Sequence, residues 1–254
     1  MRMCSIASGS SGNCIYIGDE DTHILIDAGI SRKAIETGLK ELELSGNDLD
    51  GIFITHEHSD HVKGLGVMAR KYHIPMYGTK ETIEAVKAIS SLGNIGEELF
   101  HPVAAEEELQ LKTLTVKPFK VSHDGANPVA YRVESGEKKA AVATDLGIYN
   151  DYTIDHLKGL DVILLEANHD IRMLQVGKYP YYLKQRILGN KGHLSNETAG
   201  KLLCELLHDD LKYVLLGHLS KENNLPQLAH EAVRLEITIC LLYTSPSPRD
   251  MRRS

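Results

Sequence analysis

The chain has 254 residues, of which 42% are hydrophobic and 25% are charged, as is ordinary for a soluble globular protein. Its formal net charge of −7 argues against binding nucleic acid over the whole surface, although it does not exclude a local basic patch. No apolar run approaches the roughly 20 residues of a membrane span, and the N-terminus lacks the apolar stretch of a signal peptide. The four cysteines show no CxxC spacing, so we expect reduced thiols in a cytoplasmic protein that does not bind membranes.

The first part of the chain predicts a strand meander followed by helices. Short apolar or alternating runs predict strands at residues 4–7, 14–18, 23–27 and 51–55. Amphipathic runs predict a helix that begins at Ser31 and further helices at residues 62–72 and 79–92.

The second part repeats this succession of strands and helices. Apolar runs predict strands at residues 109–111, 114–119, 129–133, 140–143, 162–165 and 212–216. Helices are predicted at residues 152–157, at 195–207 with Ser195 as the N-cap, and at 225–235, whereas residues 169–190 are irregularly helical. Two successive halves without a linker predict an α/β protein, a four-layer αβ/βα sandwich over residues 1–239.

The end of the chain does not read like a native sequence. Reverse translation of residues 240–250 resembles a transposase-adapter sequence that is used in short-read library preparation. We therefore expect the native domain to be truncated near Ile239 and residues 240–254 to be a non-native read-through tail. The alternative is a genuine disordered tail rich in Ser and Pro.

A cluster of potential metal ligands follows the predicted strand at residues 51–55. It places three imidazoles and one carboxylate within six residues, as His56, His58, Asp60 and His61. His56 and His58 are two residues apart, so their side chains point the same way in an extended segment. Asp60 and His61 begin the next helix and can face a second point close by. This spacing suits two metal ions, one for each pair of ligands.

Three further polar residues each follow an apolar strand where it opens into a loop. They are His123, Asp145 and His218. Strand ends are the usual place for site residues on a sheet scaffold. Each alone could be a turn residue or a hydrogen-bonded core group, but the shared placement favours one site. Imidazole and carboxylate ligands without cysteine suit Zn²⁺ but also Mn²⁺ or Fe.

The HxHxDH cluster, followed by a later His, a later Asp and a last His, resembles the metallo-β-lactamase superfamily. Asp27, within residues 25–29, matches the superfamily's first motif, which supports the metal-binding loop without binding the metal. Longer matches to about Glu236 resemble the YycJ/VicX (WalJ) group. These matches cover residues 8–13, 121–124, 166–170, 192–197 and 217–224.

The resemblance implies two divalent cations, Zn²⁺ or Mn²⁺, and a ligand set. The implied ligands are His56, His58 and His123 for one ion, Asp60, His61 and His218 for the other, and Asp145 as the bridge. Two cations roughly 3.5–4 Å apart lower the pKa of a shared water, which we expect to attack phosphorus as hydroxide. Asp60 is expected to be catalytic because it would hold one of the two ions that activate this water.

A phosphodiester also needs a proton on its leaving oxygen, and His193 is the candidate general acid. Residues 192–195 are similar to the His-bearing segment of the superfamily's tRNA 3′-processing branch, and Glu166 is similar to that branch's acidic partner. Glu166 would orient His193 or share its proton. The alternatives are that His193 merely precedes the Ser195 cap and that Glu166 is a buried acid with a structural partner.

One segment favours a polyanionic substrate. Residues 171–193 contain five basic residues and no acidic residue, with tyrosines interleaved. Lys and Arg contact phosphates and Tyr stacks on unpaired bases. We therefore expect weak substrate contacts from Lys178, Tyr182, Lys184, Arg186 and Lys191. The alternative is a solvated helical face whose tyrosines pack inward.

The resemblance implies a DNA exonuclease with a 5′-to-3′ sense, and therefore nucleic acid as the partner. The residues by themselves leave three alternatives open. A small-molecule (cyclic) phosphodiesterase would need no basic segment. An RNA-processing nuclease would use the same ligands, and a non-enzymatic binding module would keep its ligand after Asp145→Asn.

Overall fold

The structure is a computed structural model that describes residues 1–244, and within them twelve strands form two six-stranded sheets. The first sheet contains, in this order, β1 (Arg2–Ala7), β2 (Cys14–Gly18), β3 (His23–Ile26), β4 (Gly51–Phe53), β5 (Met76–Gly78) and β6 (Phe100–Pro102). The second contains β7 (Leu109–Leu111), β8 (Leu114–Lys120), β9 (Val129–Ser135), β10 (Lys138–Ala143), β11 (Val162–Glu166) and β12 (Tyr213–Gly217).

Both sheets begin as an antiparallel meander and continue as parallel strands. Strands β1 to β3 and β7 to β10 are antiparallel, whereas β3 to β6 and β10 to β12 are parallel. In the second sheet Ala143 pairs with Leu165, which pairs with Leu216. The carboxyl ends of these three strands therefore lie side by side.

Nine α-helices connect the strands within the described part of the chain. They are α1 (Arg32–Glu41), α2 (Ser59–Val62), α3 (Leu65–Tyr72), α4 (Lys80–Lys87), α5 (Asp151–Leu157), α6 (Ile171–Val176), α7 (Tyr181–Leu188), α8 (Asn196–Leu206) and α9 (Pro226–Thr244). Ser31 and Ser195 accept a hydrogen bond from the backbone N–H three residues on, which confirms the predicted starts of α1 and α8.

Three buried apolar clusters define four layers. The central cluster lies between the two sheets and includes Phe53 and Tyr131, whose rings meet edge to face. A second cluster packs α1, α3 and α4 on the outer face of the first sheet, and a third packs α5, α8 and α9 on the second sheet. The predicted αβ/βα sandwich is confirmed.

Several predicted boundaries differ from the structure. The helix predicted at residues 62–72 is two helices, α2 and α3, which break at Gly64. There a Cβ would lie 2.1 Å from the carbonyl oxygen of Ile30. The helix predicted at 79–92 ends at Lys87, and a short 3-10 turn covers residues 90–92.

The last helix is longer than predicted. Helix α9 runs to Thr244, past the expected domain boundary near Ile239. The prediction of a read-through tail therefore falls partly on a helix and partly on residues 245–254, which lie outside the described residues. Among the helices up to Thr244, none combines the length and apolarity that crossing a membrane requires.

Candidate metal centre

The His56–His61 segment turns from a strand into a helix within six residues. It follows β4, and His58 is the N-cap of α2 with an extended backbone. His56 and His58 therefore point to the same side, with Nε2 of His56 3.0 Å from Nδ1 of His58. Asp60 and His61 lie on α2 and face a second point, as the spacing predicts.

The close approach of two loops holds α2 in place. The backbone N–H of Asn13 donates to the carbonyl oxygen of Asp60 at 2.7 Å, and the N–H of Ala28 donates to that of His61 at 2.8 Å. A Cβ at Gly29 would lie 1.7 Å from the Asp60 oxygen, so only glycine fits there. The loops after β1 and β3 thus fix the direction of Asp60 and His61.

The structure brings His123 to the first pair of histidines. One ligand atom from each of His56, His58 and His123 lies within 4.8 Å of the others. Nδ1 of His123 bonds the carbonyl oxygen of Gly192 at 3.0 Å, so this nitrogen carries the proton and Nε2 keeps a lone pair. Nε2 is buried and has no hydrogen-bond partner within residues 1–244.

The structure also brings His218 to the second pair. Oδ2 of Asp60 lies 3.5 Å from Nε2 of His61 and 3.4 Å from Nε2 of His218. Three ligand atoms from these residues lie within 4.8 Å of one another. His218 follows β12 directly, so its placement results from the parallel pairing of that strand.

Asp145 lies between the two groups. Its Oδ1 is 3.5 Å from Nε2 of His123, and its Oδ2 is 3.3 Å from Nε2 of His61. Burial disfavours the carboxylate, but the imidazoles of His218 and His61 outweigh burial and hold the pKa of Asp145 well below its usual value. The side chain is thus a buried anion that touches both histidine groups.

This donor set fits divalent cations. The lone pair on Nε2 of His123 and the buried Oδ2 of Asp145, two atoms without a hydrogen-bond partner in the described chain, face the same space as the other imidazoles. Buried acceptors that converge in this way are satisfied by a metal ion. The His and Asp cluster is therefore compatible with divalent metals.

Asp27 supports the cluster from behind, as the sequence predicts. Its Oδ2 accepts a hydrogen bond from Nδ1 of His61 at 2.7 Å, and its Oδ1 accepts one from the backbone N–H of Thr55 at 2.8 Å. This contact keeps the His61 proton on Nδ1, so Nε2 is the acceptor, and in this structure it accepts a hydrogen bond from Nδ2 of Asn13 at 3.1 Å. Burial disfavours the charged His61 ring, but Asp145 and Asp27 outweigh it and raise the pKa of His61.

Glu166 is buried at the end of β11 and accepts four hydrogen bonds. Its Oε1 accepts from Nδ1 of His193 and Nδ1 of His218, both at 2.8 Å. Its Oε2 accepts from the backbone N–H groups of Leu146 and Leu194, both at 3.0 Å. Glu166 also lies close enough to Asp145 to share a metal ion with it. Both oxygens of Glu166, however, already accept their full number of hydrogen bonds. The role of Glu166 is therefore to fix the orientation of the two imidazoles.

Three of these strand-end residues have left-handed backbone conformations. The φ angles are 63° at Asp27, 59° at Asp145 and 53° at His218. Few non-glycine residues adopt this region, and such residues cluster at functional sites. The left-handed turn at each strand end directs the side chain back toward the cluster.

A pocket of about 210 Å³ opens onto the cluster. Besides the cluster, the pocket lining includes the polar residues Ser10, Asn168 and Ser220 and the apolar residues Leu183 and Ile187 of α7. The acidic lining residues Asp60, Asp124 and Asp145 all lie at the cluster.

Helices α6 and α7 carry the basic segment over this pocket. The rings of Tyr181 and Tyr182 are 77% and 74% exposed, so the alternative in which the tyrosines pack inward is wrong for these two. Arg186 lines the pocket and its guanidinium binds Asp124, whereas the Lys184 ammonium donates to the carbonyl oxygen of Gln175. Lys178 and Lys191 are exposed and lie outside the pocket lining.

Among the polar lining residues outside the basic segment, sequence reasoning missed four: Ser10, Asp124, Asn168 and Ser220. All four lie inside segments on which the family resemblance rests. For Asp124 the available signal was its position directly after a predicted ligand at a strand end.

The family model of the beta-lactamase superfamily domain matches residues 22–218. Together with the sandwich and the strand-end cluster, this match shows that the chain belongs to that superfamily. In solved structures the fold recurs in Zn²⁺-bound PqqB from Methylobacterium extorquens, with a TM-score of 0.71, 16% identity, and coverage of 94% of this chain and 96% of that chain. At this identity the likeness concerns the fold alone.

Two curated relatives are much more similar in sequence. The chain is 40% identical over 228 residues to the exodeoxyribonuclease YycJ of Bacillus anthracis, which covers 90% of this chain and 86% of the relative. It is also 40% identical over 225 residues to the exodeoxyribonuclease WalJ of Streptococcus pneumoniae, covering 89% and 84%. The resemblance to the YycJ/VicX (WalJ) group is confirmed.

Proposed function

We propose that the protein is a dinuclear metal-dependent exodeoxyribonuclease that degrades DNA with a 5′-to-3′ sense. The observation that carries the proposal is the position of Asp145 between two donor groups, beneath a basic segment that contains no acidic residue. The exodeoxyribonuclease relatives, at 40% identity over about nine tenths of the chain, support the choice of DNA.

In this proposal two ions of Zn²⁺ or Mn²⁺ share the cluster. His56, His58 and His123 would hold one ion and Asp60, His61 and His218 the other, with Asp145 within reach of both groups. Such a pair would supply an activated water at neutral pH and neutralise charge on the reacting phosphate. The chain's own contribution is to fix each ligand, since Asp27 and Glu166 hold the Nδ1 protons of His61 and His218.

His193 is the proposed general acid. Its Nδ1 proton is held by Glu166, so Nε2 is the atom that can give a proton to the leaving oxygen. Burial disfavours the imidazolium, but the charge and hydrogen bond of Glu166 outweigh burial and raise the pKa of His193. A raised pKa favours the doubly protonated ring, which is the form that a general acid needs. Glu166 acts through His193 and is therefore a positioning residue.

The pocket lining suits a nucleotide. Leu183, Ile187 and Tyr179 offer side chains against which a base can pack. Ser220 Oγ accepts from the backbone and side-chain N–H groups of Asn223, so its own hydroxyl proton remains a donor for a phosphate or sugar oxygen. One terminal nucleotide would bind in this pocket.

The outer face of α7 suits the strand that follows. Tyr181 and Tyr182 present exposed rings, and Lys178 lies exposed in the turn between α6 and α7. Exposed aromatic rings beside cations are typical of surfaces that bind single strands without sequence preference. A small-molecule phosphodiesterase would need none of these residues.

The test is a cleavage assay on purified protein reconstituted with Zn²⁺ or Mn²⁺. Substrates are DNA labelled at the 5′ or the 3′ end, matched RNA, and bis(p-nitrophenyl) phosphate. We expect stepwise shortening of DNA from the 5′ end. Asp145→Asn should lower the rate more than about a hundredfold, the upper range for groups that only orient ligands.

The matched control is Asp155→Asn, which removes an exposed carboxylate that pairs with Lys158 on the far side of α5. Its rate should equal that of the wild type. Hydrolysis of the small ester without cleavage of DNA would overturn the proposal in favour of a small-molecule phosphodiesterase. Cleavage of RNA alone would overturn the choice of DNA.

A further inference from the structure

Asp124 lies next to the first histidine group, although neither the ligand set nor the general acid includes it. Its Oδ1 is 3.2 Å from Nε2 of His123 and 3.9 Å from Nε2 of His58. This oxygen is buried and lacks a hydrogen-bond partner in the described residues. The other oxygen, Oδ2, accepts a hydrogen bond from Nε of Arg186 on α7.

The contact between Asp124 and His123 joins two acceptors. Nδ1 of His123 bonds the carbonyl oxygen of Gly192 and therefore carries the ring proton. Nε2 consequently presents a lone pair, and Oδ1 of Asp124 also presents only lone pairs. Two buried acceptors 3.2 Å apart repel each other unless a cation or a donor lies between them.

A purely structural role explains only half of this geometry. The ion pair with Arg186 accounts for Oδ2, and it would anchor α7 over the pocket. It does not account for Oδ1, which points away from Arg186 and toward two proposed ligands of one ion. A cation held by His56, His58 and His123 would satisfy both His123 Nε2 and Asp124 Oδ1.

We propose that Asp124 is a further ligand of the ion held by His56, His58 and His123, and that Arg186 ties this ligand to the pocket helix α7. This inference rests on the metal site of the proposed function but not on its substrate. It makes Arg186 a positioning residue for a ligand, in addition to its expected contact with substrate. Metal binding and the seating of α7 are then coupled through one carboxylate.

The experiment is a calorimetric titration of metal-free protein with Mn²⁺ alone, which resolves two binding events. Asp124→Asn should weaken one event by about ten- to a hundredfold, the range for groups that support a metal site, and leave the other unchanged. Arg186→Gln should weaken the same event by less than Asp124→Asn does, because the carboxylate remains but loses the contact that positions it. Asp155→Asn serves as the matched control and should change neither event.

Asp124→Asn and Arg186→Gln thus distinguish a ligand from an anchor. The proposal is overturned if both variants keep the wild-type affinities for Mn²⁺ and lose the same amount of thermal stability. Asp124 would then be only an anchor for α7. If Asp124→Asn fails to fold, Asp124→Glu, which keeps the carboxylate but lengthens the side chain, is loaded with Co²⁺ instead. A visible absorption spectrum that differs from the wild type supports a carboxylate ligand at this position, and an identical spectrum contradicts it.

DNA cleavage is measured separately on the same samples. A wild-type protein that binds two Mn²⁺ ions but cuts no DNA contradicts the proposed function and leaves this inference standing. Conversely, if the protein is an active nuclease and Asp124→Asn leaves its Mn²⁺ affinity unchanged, this inference is contradicted and the proposed function is not.

Discussion

The two ends of the sandwich differ in how their polar groups are hydrogen-bonded. At the end away from the pocket, Oδ1 of Asp19 accepts from the N–H groups of Asp21 and Thr22 and from the Thr113 hydroxyl, and Oδ2 accepts from the Ser135 hydroxyl. Because Thr113 lies in the turn between β7 and β8 and Ser135 is the last residue of β9, this carboxylate joins the two sheets.

At the pocket end, buried polar atoms lack partners and backbones are strained. Nε2 of His123, Oδ1 of Asp124 and Oδ2 of Asp145 have no hydrogen bond among the residues that the structure describes. An unsatisfied buried polar atom costs about 1–3 kcal/mol, and a left-handed non-glycine residue costs a similar amount. One end of the fold therefore supplies stability, and the other holds groups that become favourable only when a ligand arrives.

Of the changes considered, metal addition should have the largest effect on this difference between the two ends. A ligand at a hundred times its Kd stabilises the native state by about 2.7 kcal/mol for each site. We expect the free energy of unfolding to rise by this amount per ion on adding Zn²⁺ or Mn²⁺, as measured by urea denaturation. Asp145→Asn should abolish most of the increase, whereas Asp19→Asn should retain it. An equal increase in both variants would contradict metal binding at the cluster.

Glu166→Gln should have the next largest effect. Four N–H donors converge on Glu166, and an amide nitrogen cannot accept from any of them. We expect DNA cleavage to fall about ten- to a hundredfold. The alkaline limb of the pH–rate profile should also shift to lower pH, because the carboxylate raises the pKa of His193. Glu231→Gln on the exposed face of α9 is the control, and an unshifted profile would argue against His193 as the acid.

Asp27→Asn should have a smaller effect at the same end. The amide can still accept one hydrogen bond from His61 or Thr55, so support for the ring weakens without disappearing. We expect about a tenfold loss of affinity for one of two Mn²⁺ ions, the lower range for groups behind a ligand. Calorimetry measures this loss. A change in both binding events alike would indicate a general loss of structure instead.

Asp19→Asn, at the end away from the pocket, should have the smallest effect on stability and no effect on activity. Solvent screening limits the expected loss of unfolding free energy to about 1 kcal/mol at neutral pH. Burial raises the pKa of Asp19, but hydrogen bonds from Ser135 and Thr113 outweigh it and lower the pKa to about 2. A depressed pKa stabilises the fold above the unfolded value of 3.8, and this contribution is lost as the pH falls toward 2. Denaturation curves of wild type and variant should therefore converge between these values.

The sequence could predict the layers and the cluster because both depend on local pattern. Alternation and apolar runs mark the long strands, and the six-residue ligand cluster lies on one turn. Strands β5 and β6 are short and end in Gly78 and Pro102, which interrupt any apolar run, so the sequence predicts no strand at residues 76–78 or 100–102. The last turns of α9 include residues 240–244, which fall in the segment that the sequence predicts to be a non-native tail.

Contacts between distant segments could not be predicted from local pattern. The resemblance implies that Glu166 orients His193, but that Glu166 accepts hydrogen bonds from both His193 and His218 depends on how β11, β12 and the loop before α8 meet. The approach of Arg186 to Asp124 likewise requires α7 to lie over the end of β8. Such distances follow from tertiary packing, and a spacing along the chain does not contain them.

The left-handed strand ends restrict how this protein can evolve. Apart from glycine, the residues most tolerant of that backbone are Asn, Asp and His. A metal site accepts Asp and His as ligands at positions 145 and 218, and the acceptor behind His61 at position 27 is a carboxylate, so each position meets two independent demands that few amino acids satisfy. Only a few amino acids can therefore be tolerated at these positions, even if the chemistry of the pocket were to change.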